Sequence, residues 1–508
     1  MTLGTAMQAT AKNYHHFIDG SQVTGTSGRT HSIYNPSQGS VSGAVSLATT
    51  AEVNSAIASA ANALGEWSSM NPQRRARVLF NFKGLVEANA DELALLIADE
   101  HGKVVADAHG DIQRGLDVIE FACGVPHLSK GEYTQGAGPG IDVYSMRQPV
   151  GVVAGITPFN FPAMIPMWMF GVAIATGCTF VLKPSEKDPG VPLRLAELMM
   201  EAGAPAGVLN VVNGDKVAVD AILDHPTIQA VSFVGSSDIA HYVYQRCAET
   251  GKRVQAMGGA KNHGIILPDA DMGQAVKDIS GAAYGSAGER CMALSTVVTV
   301  GNETGDRFID AMRAEIDRLK VGISTDPAAD YGPVVTAAHR QRVSDYIEMG
   351  VDEGAELVVD GRGFQLQGYE EGFFLGPTLF DRVSPDAQSY HDEIFGPVLQ
   401  VLRTEDFESA IELPSQHQYG NGVAIFTRNG GAAREFAQRV NVGMVGINVP
   451  IPVPVAYHSF GGWKRSAFGD MNQHGMEGVR FYTRTKTVTQ RWPEQTTEES
   501  SFVIPTMD

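Results

Sequence analysis

The stretch 150–237 constrains the fold more than any other part of the chain. Residues 150–156 form an apolar run that reads as a buried strand, followed by a turn at 157–162 and an apolar helix. A second strand is expected at 179–182, a helix at 192–202, a third strand at 209–212, a helix at 216–223 and a fourth strand at 230–234, closed by Gly235-Ser236-Ser237. Apolar strands alternating with helices predict a parallel sheet covered on both faces, because each crossover lays a helix against the strands. In such sheets ligands bind beyond the carboxyl ends of the strands. Residues Thr157 to Asn160, Lys183 to Glu186 and Gly235-Ser236 fall there. This half of the chain reads as nucleotide-binding.

The rest of the chain is organised around that core. Residues 50–100 read mostly as helix, with Leu85, Leu93, Leu96 and Ile97 at helical spacing, and residues 1–12 as a frayed start. A second α/β region runs from about 258 to 449, with Cys291 near its start and Pro450, Pro452 and Pro454 marking its end. Residues 479–492 alternate threonines with longer side chains and predict a late strand. Such a strand is either an exchange element in a homo-oligomer, the reading taken here, or a strand returning to its own sheet. The glycine cluster 136–140 reads as a loop.

A length of 508 residues favours two or more domains. The formal charge of −19 argues against nucleic-acid or anionic-membrane partners, so an anionic substrate must be held by local basic groups. Four cysteines without paired spacing make neither a disulfide framework nor a zinc site, and no metal is expected. With no secretory pattern at the start, a reducing, cytoplasmic setting follows. The longest apolar stretch, 161–175, is too short to span a bilayer and contains Pro162 and Pro166.

Gly288-Glu289-Arg290-Cys291 sets a cysteine after a glycine turn beside a basic residue, the setting of a nucleophilic thiolate. By itself the motif is weak, since most such cysteines pack inertly, as Cys123, Cys178 and Cys247 are expected to do. It has company: Thr157-Pro158-Phe159-Asn160-Phe161-Pro162, Leu182-Lys183-Pro184-Ser185-Glu186 and, far downstream, Glu393-Ile394-Phe395-Gly396-Pro397. Taken together and in this order, the four motifs resemble the aldehyde dehydrogenase superfamily over nearly the whole chain.

The resemblance implies an α/β protein with a Rossmann-like cofactor domain, an α/β catalytic domain and a small β domain that bridges subunits. On this chain it implies an NAD-binding domain at 13–129 and 148–257, a catalytic domain at 258–449, and oligomerisation strands at 130–147 and 479–498. It implies Cys291 as nucleophile, with Asn160 and the Cys291 backbone N–H as donors to the oxyanion. Lys183 and Glu186 match the pair that holds the adenosine ribose, which favours NAD over NADP, an inference that the neighbouring Lys187 dilutes. Ser236 matches the diphosphate position. Thr157, Phe159 and Gly258 line the cofactor cleft, and Glu393 and Phe395 match the nicotinamide-ribose site.

One departure carries weight. Most hydrolytic members have a glutamate 34 residues ahead of the cysteine, and here that position is Met257. A thioether cannot serve as a base toward water, so release of the acyl group calls for a better nucleophile such as coenzyme A. The segments around Gly259-Ala260-Lys261-Asn262-His263, Cys291-Met292-Ala293 and Val449-Pro450-Ile451-Pro452 resemble the CoA-acylating methylmalonate-semialdehyde dehydrogenases. That resemblance implies oxidation and decarboxylation of methylmalonate or malonate semialdehyde to propionyl-CoA or acetyl-CoA, in a dimer or tetramer. Arg114 and Arg290 would clamp the substrate carboxylate, because guanidinium offers a planar fork; Arg290 has a structural ion pair as its alternative. His263 reads as a hydrogen-bonded structural residue. The alternative function is a hydrolytic semialdehyde dehydrogenase, for example of succinate semialdehyde, with Glu289 or Glu393 as its base.

Overall fold

The computed structural model describes residues 12–492. The expected frayed start and the end of the tail, apart from Lys12 and the stretch up to Trp492, lie outside the described residues. Two sheets organise the chain. The first has eight strands, and its parallel centre runs Arg253–Met257, Ile228–Val234, Val152–Ile156, Thr179–Lys183, Leu209–Val211. The chain begins at Val152–Ile156, winds to one side through Thr179–Lys183 and Leu209–Val211, then crosses to the other side at Ile228–Val234. The order therefore reverses between Val152–Ile156 and Ile228–Val234, which opens a crevice beyond their carboxyl ends. Thr157 and Gly235 follow those two strands directly.

The strands expected from the apolar runs are present, each boundary lying within two residues of its expected place. The helix Met164–Thr176 is buried at every position, which suits a sequence that is apolar all round. It ends at Gly177, whose φ of 101° is left-handed backbone suited to glycine. The helical stretch expected over 50–100 is three helices, Thr50–Ser69, Pro72–Ala88 and Ala90–Glu100. Asn71 and Pro72 break it at the first gap: Asn71 accepts from Gln73 N–H, and Pro72 opens the next helix.

The second sheet has seven strands, in the order Glu356–Val359, Thr378–Asp381, Val398–Thr404, Leu294–Val300, Asn262–Ile266, Gly422–Phe426, Met444–Ile447. Only Glu356–Val359 runs antiparallel. Beyond the proline-rich segment the chain returns to the first sheet, where Ala467–Phe468 pairs with the Arg253–Met257 edge.

Two expectations need correcting. The late strand is Thr483–Arg491, because Val479 to Phe481 close the helix Gly475–Phe481. It also has a partner in its own chain: it runs antiparallel to Ile141–Pro149, from Thr483 opposite Pro149 to Arg491 opposite Ile141. The glycine cluster 136–140 is part of a hairpin, with Gly136 and Gly138 in the strand Tyr133–Gly138 and Gly140 in the turn at φ 65°. Its three strands form a sheet of their own, separate from the two large ones.

Candidate active site

The first sheet offers the carboxyl ends of its strands to the site, and the second offers the amino ends. Cys291 precedes the strand Leu294–Val300, Glu393 to Phe395 precede Val398–Thr404, and Gly258 to Lys261 precede Asn262–Ile266. Between the two sets lies a cleft of about 830 Å³, lined by Phe159, Asn160, Lys187, Ser236, Gly258, Cys291, Glu393 and Phe395 among others. Eight expected site residues thus meet in one space, although the motifs that carry them are up to 236 residues apart (395 − 159).

The backbone before Cys291 is sharply turned. Ser286, Ala287 and Gly288 have φ of 53°, 51° and 73° in succession. A Cβ on Gly288 would lie 2.1 Å from the carbonyl oxygen of Gly396, so only glycine fits there. Cys291 is half-buried, while Cys123, Cys178 and Cys247 are buried. Burial pushes the Cys291 thiol up to about 12, and Glu393 adds to the shift; the N–H groups of Cys291 and Met292 and the Lys103 ammonium act the other way. Those two N–H groups face the sulfur.

Lys183 Nζ lies 3.2 Å from Glu186 Oε2. Burial raises the Glu186 carboxyl, but Lys183 and nearby donors outweigh burial and hold it below its ordinary value. Thr157 is buried next to this pair, and its N–H donates to the Lys183 carbonyl at 3.1 Å. Ser236 caps the thirteen-residue helix Ser237–Glu249 and its side chain makes no capping bond. The helix N-terminus therefore keeps free N–H groups, the arrangement that suits a diphosphate. Across the cleft the backbone comes close at two glycines: a Cβ on Gly258 would sit 2.6 Å from the Arg465 carbonyl oxygen, and one on Gly259 2.6 Å from Glu393 Oε2. Lys187 Nζ lies 4.3 Å from the centre of the Phe159 ring. These groups fit a dinucleotide: a carboxylate for ribose hydroxyls, a helix N-terminus for phosphates, and close backbone.

Glu393 accepts from Ala260 N–H at 2.8 Å, and burial pushes its carboxyl up to about 7. Phe395 has a φ of 62°, unusual for an aromatic residue. Two residues that the sequence did not single out brace this segment. His339 bonds the Phe395 carbonyl at 2.7 Å, and Arg342 donates to the carbonyls of Glu393 and Ile394 at 2.9 and 3.2 Å. Both line the cleft.

The two arginines part company. Arg290 lies 2.7 Å from Asp107 on the helix Val105–Cys123, so its guanidinium makes the ion pair that was its alternative reading, while Arg290 and Cys291 line one pocket. The short reach from residue 290 back across Gly285 directs it there, where a Cβ on Gly285 would touch the guanidinium at 2.6 Å. Arg114, on the same helix, is exposed. It adds to the effect of burial in lowering His474 to about 3, and His474 packs within 5.3 Å of Trp168 and Phe460. Phe161, Cys291, Ile451 and Val453 are half-buried against the core cluster that contains Trp168 and Phe460. Arg114 thus lies near His474 and its aromatic neighbours, and does not line the cleft.

Of the glutamates near Cys291, Glu289 is sealed. It is fully buried, accepts from Val335 N–H at 3.2 Å, and burial pushes it up to about 8. Met257 is buried at the end of its strand. His263 is buried and bonds the Tyr390 hydroxyl at 2.8 Å, in keeping with its structural reading. No group of metal-binding side chains occurs among the described residues.

The aldehyde dehydrogenase family model matches residues 23–488. The chain belongs to the aldehyde dehydrogenase family. A malonate-semialdehyde dehydrogenase of Pseudomonas aeruginosa is 54% identical over 494 residues, covering 97% of this chain and 99% of its own. The mitochondrial acylating methylmalonate-semialdehyde dehydrogenase of Arabidopsis thaliana is 47% identical over 493 residues, covering 97% of this chain and 80% of its own. A protein of Sinorhizobium meliloti 1021, solved with NAD and provisionally named a methylmalonate-semialdehyde dehydrogenase, superposes with a TM-score of 0.95 at 61% identity. It covers 96% of this chain and 99% of its own. As an aldehyde dehydrogenase, this chain has three of its four expected motifs lining one cleft between two sheets, while Lys183 of the fourth is tied to the first through the bond from Thr157 N–H. No helix among the described residues is long and apolar enough to cross a membrane.

Proposed function

We propose that this aldehyde dehydrogenase converts malonate semialdehyde and methylmalonate semialdehyde, with NAD and coenzyme A, to acetyl-CoA and propionyl-CoA, releasing carbon dioxide. The observation that carries the reading is that Cys291 and Asn160 open onto one cleft with Ser236 and Glu393. The Cys291 thiolate adds to the aldehyde carbon. The negative oxygen is held by the Asn160 side-chain amide and by backbone N–H at the cysteine, a donor of this kind being worth roughly 3 kcal/mol. Lys183, Glu186, Ser236 and Glu393 would hold NAD, which when bound would supply the hydride acceptor for oxidising the adduct to a thioester.

The substrate carboxylate is now β to an activated carbonyl. Carbon dioxide leaves with its bonding electrons going to the enolate, whose oxygen Asn160 stabilises, and a proton then adds at carbon. Arg114 guides the carboxylate in. Met257 supports transfer to a thiol over hydrolysis, because its thioether cannot deprotonate water, and Glu289 is sealed away from the cleft. The CoA thiolate attacks the thioester and Cys291 leaves as thiolate. The strands Ile141–Pro149 and Thr483–Arg491 form the surface through which subunits assemble into a dimer or tetramer. A reducing cytoplasm suits a free catalytic thiol.

Intact-protein mass spectrometry tests the first half. Enzyme mixed with NAD and malonate semialdehyde without CoA should gain an acetyl group that is lost in C291A; an unmodified protein that nonetheless makes NADH rejects the thioester.

A further inference from the structure

The turn that presents Asn160 is gripped at both ends by one buried ion pair. Lys103 is 1% exposed and Asp111 is 1% exposed. Lys103 Nζ donates to the backbone carbonyl of Asn160 at 2.7 Å. Asp111 Oδ1 accepts from the backbone N–H of Met164 at 2.7 Å. The two side chains face each other at 3.8 Å, and the ammonium sits 4.1 Å from the centre of the Phe161 ring. One residue of the pair therefore holds the start of the 160–164 turn and the other its end.

We propose that Lys103 is a positioning residue for the oxidation: with Asp111 it fixes the Asn160 turn against the oxyanion. The proposal rests on the semialdehyde reaction proposed above. Burying a lysine that deeply is costly unless it is paired and hydrogen-bonded. The structure supplies more than a partner, because the third strong contact goes to the backbone of the residue that must not move. Hydrophobic residues of similar size would hold the helices together as well, but they would offer nothing to the Asn160 carbonyl.

The surroundings sharpen the point. The charged and titratable groups that face Lys103 are Asp111 on the helix Val105–Cys123, Asp188 beyond the strand Thr179–Lys183, His101 beside it in sequence, and Glu289 and Cys291 from the cysteine turn. Both carboxylate oxygens of Asp188 and both ring nitrogens of His101 are buried without a hydrogen-bond partner among the described residues. Burial lowers His101 well below the usual histidine range, so its ring is neutral. Lys103 acts on this surround by favouring the charged form of Asp111, Asp188 and Glu289 against burial, and it also pulls the Cys291 thiol downward.

The test compares wild type, K103M, K103R and K103M/D111N in three assays: steady-state turnover of malonate semialdehyde, NAD affinity by calorimetry, and the pH profile of Cys291 alkylation by iodoacetamide. K103M should lose about 100-fold in kcat, the scale of one misplaced oxyanion donor. Its NAD affinity should stay within about twofold of wild type, and its alkylation profile should move to higher pH. K103R should keep the wild-type alkylation profile and recover part of the kcat. K103M/D111N removes both charges of the pair together, so that Asp111 is not left without its partner, and decides the matter if K103M fails to fold. A folded variant lacking the ammonium, with wild-type kcat and alkylation profile, overturns the proposal. So does a loss of NAD affinity in step with kcat, which would mark a general loosening. A wild-type enzyme inactive on the semialdehyde would instead reject the substrate reading, and the alkylation profiles would still decide the role of Lys103.

Discussion

Asn262 donates its side-chain amide to the backbone carbonyl of Cys291 at 3.0 Å. The same amide donates to the Ala293 carbonyl at 2.9 Å, and its oxygen accepts from Gly422 N–H at 3.0 Å. A single side chain at the start of the inner strand Asn262–Ile266 thus ties the cysteine turn to that strand and to its neighbour Gly422–Phe426. Asn421 adds a further bond to the Cys291 carbonyl at 3.1 Å. The cysteine is fixed through its backbone, which leaves its sulfur free to react.

N262A removes the side-chain donor to the Ala293 carbonyl, one of two donors to the Cys291 carbonyl and the acceptor for Gly422 N–H, and should cost on the order of 3 kcal/mol of stability. Urea unfolding measures that cost. The variant should also lose kcat more than it loses NAD affinity, because it disturbs the cysteine turn and spares the cofactor half.

On the proposed reading, Glu186 sets cofactor choice. E186Q removes the charge that favours ribose hydroxyls and disfavours a 2′-phosphate, while Lys183 and Lys187 remain as cations. The KM for NAD should rise about tenfold, one lost charge-assisted hydrogen bond being worth roughly 1.5–3 kcal/mol. The NAD to NADP preference should narrow. Initial rates with both cofactors check it.

These predictions rest on residues that differ in how far the sequence exposed them. The parallel core was legible because buried strands are short apolar runs between helices, and the switch point followed from their order. Cys291, Asn160, Lys183 and Glu186 were legible because they stand in local motifs. Asn262 was quoted within a motif but given no role, since its partners are backbone atoms 29 to 160 residues away. Lys103, His339 and Arg342 carry no local signal at all: each acts on a carbonyl brought to it by the fold. Arg290 stands beside Cys291 in sequence, and its ion pair with Asp107 is visible only in the fold.

Arg114 should matter only to a charged substrate. R114A should raise the KM for malonate semialdehyde about tenfold or more, the scale of a lost carboxylate–guanidinium contact. The KM for propionaldehyde, which has no carboxylate, should stay unchanged. Equal effects on both aldehydes would remove Arg114 from the substrate site.

Glu289 gives a pH dependence of stability. Burial raises its folded value to about 8, above the ordinary carboxylate range of the unfolded chain. Between those two values the unfolded state has already released its proton while the folded state still holds it. The stability contribution is therefore fully present below the unfolded value and is lost as pH rises toward 8. E289Q keeps an acceptor for Val335 N–H and has no proton to lose. Urea unfolding at pH 5 and pH 9 should show the variant gaining on wild type at the higher pH.

The central claim is that the acyl group leaves Cys291 for a thiol and not for water. NADH production from malonate semialdehyde, followed with and without CoA while mass spectrometry identifies the product, tests it most directly. Sustained turnover only with CoA, and acetyl-CoA as product, is the expected result. Equal rates without CoA, with free acid accumulating, would contradict it.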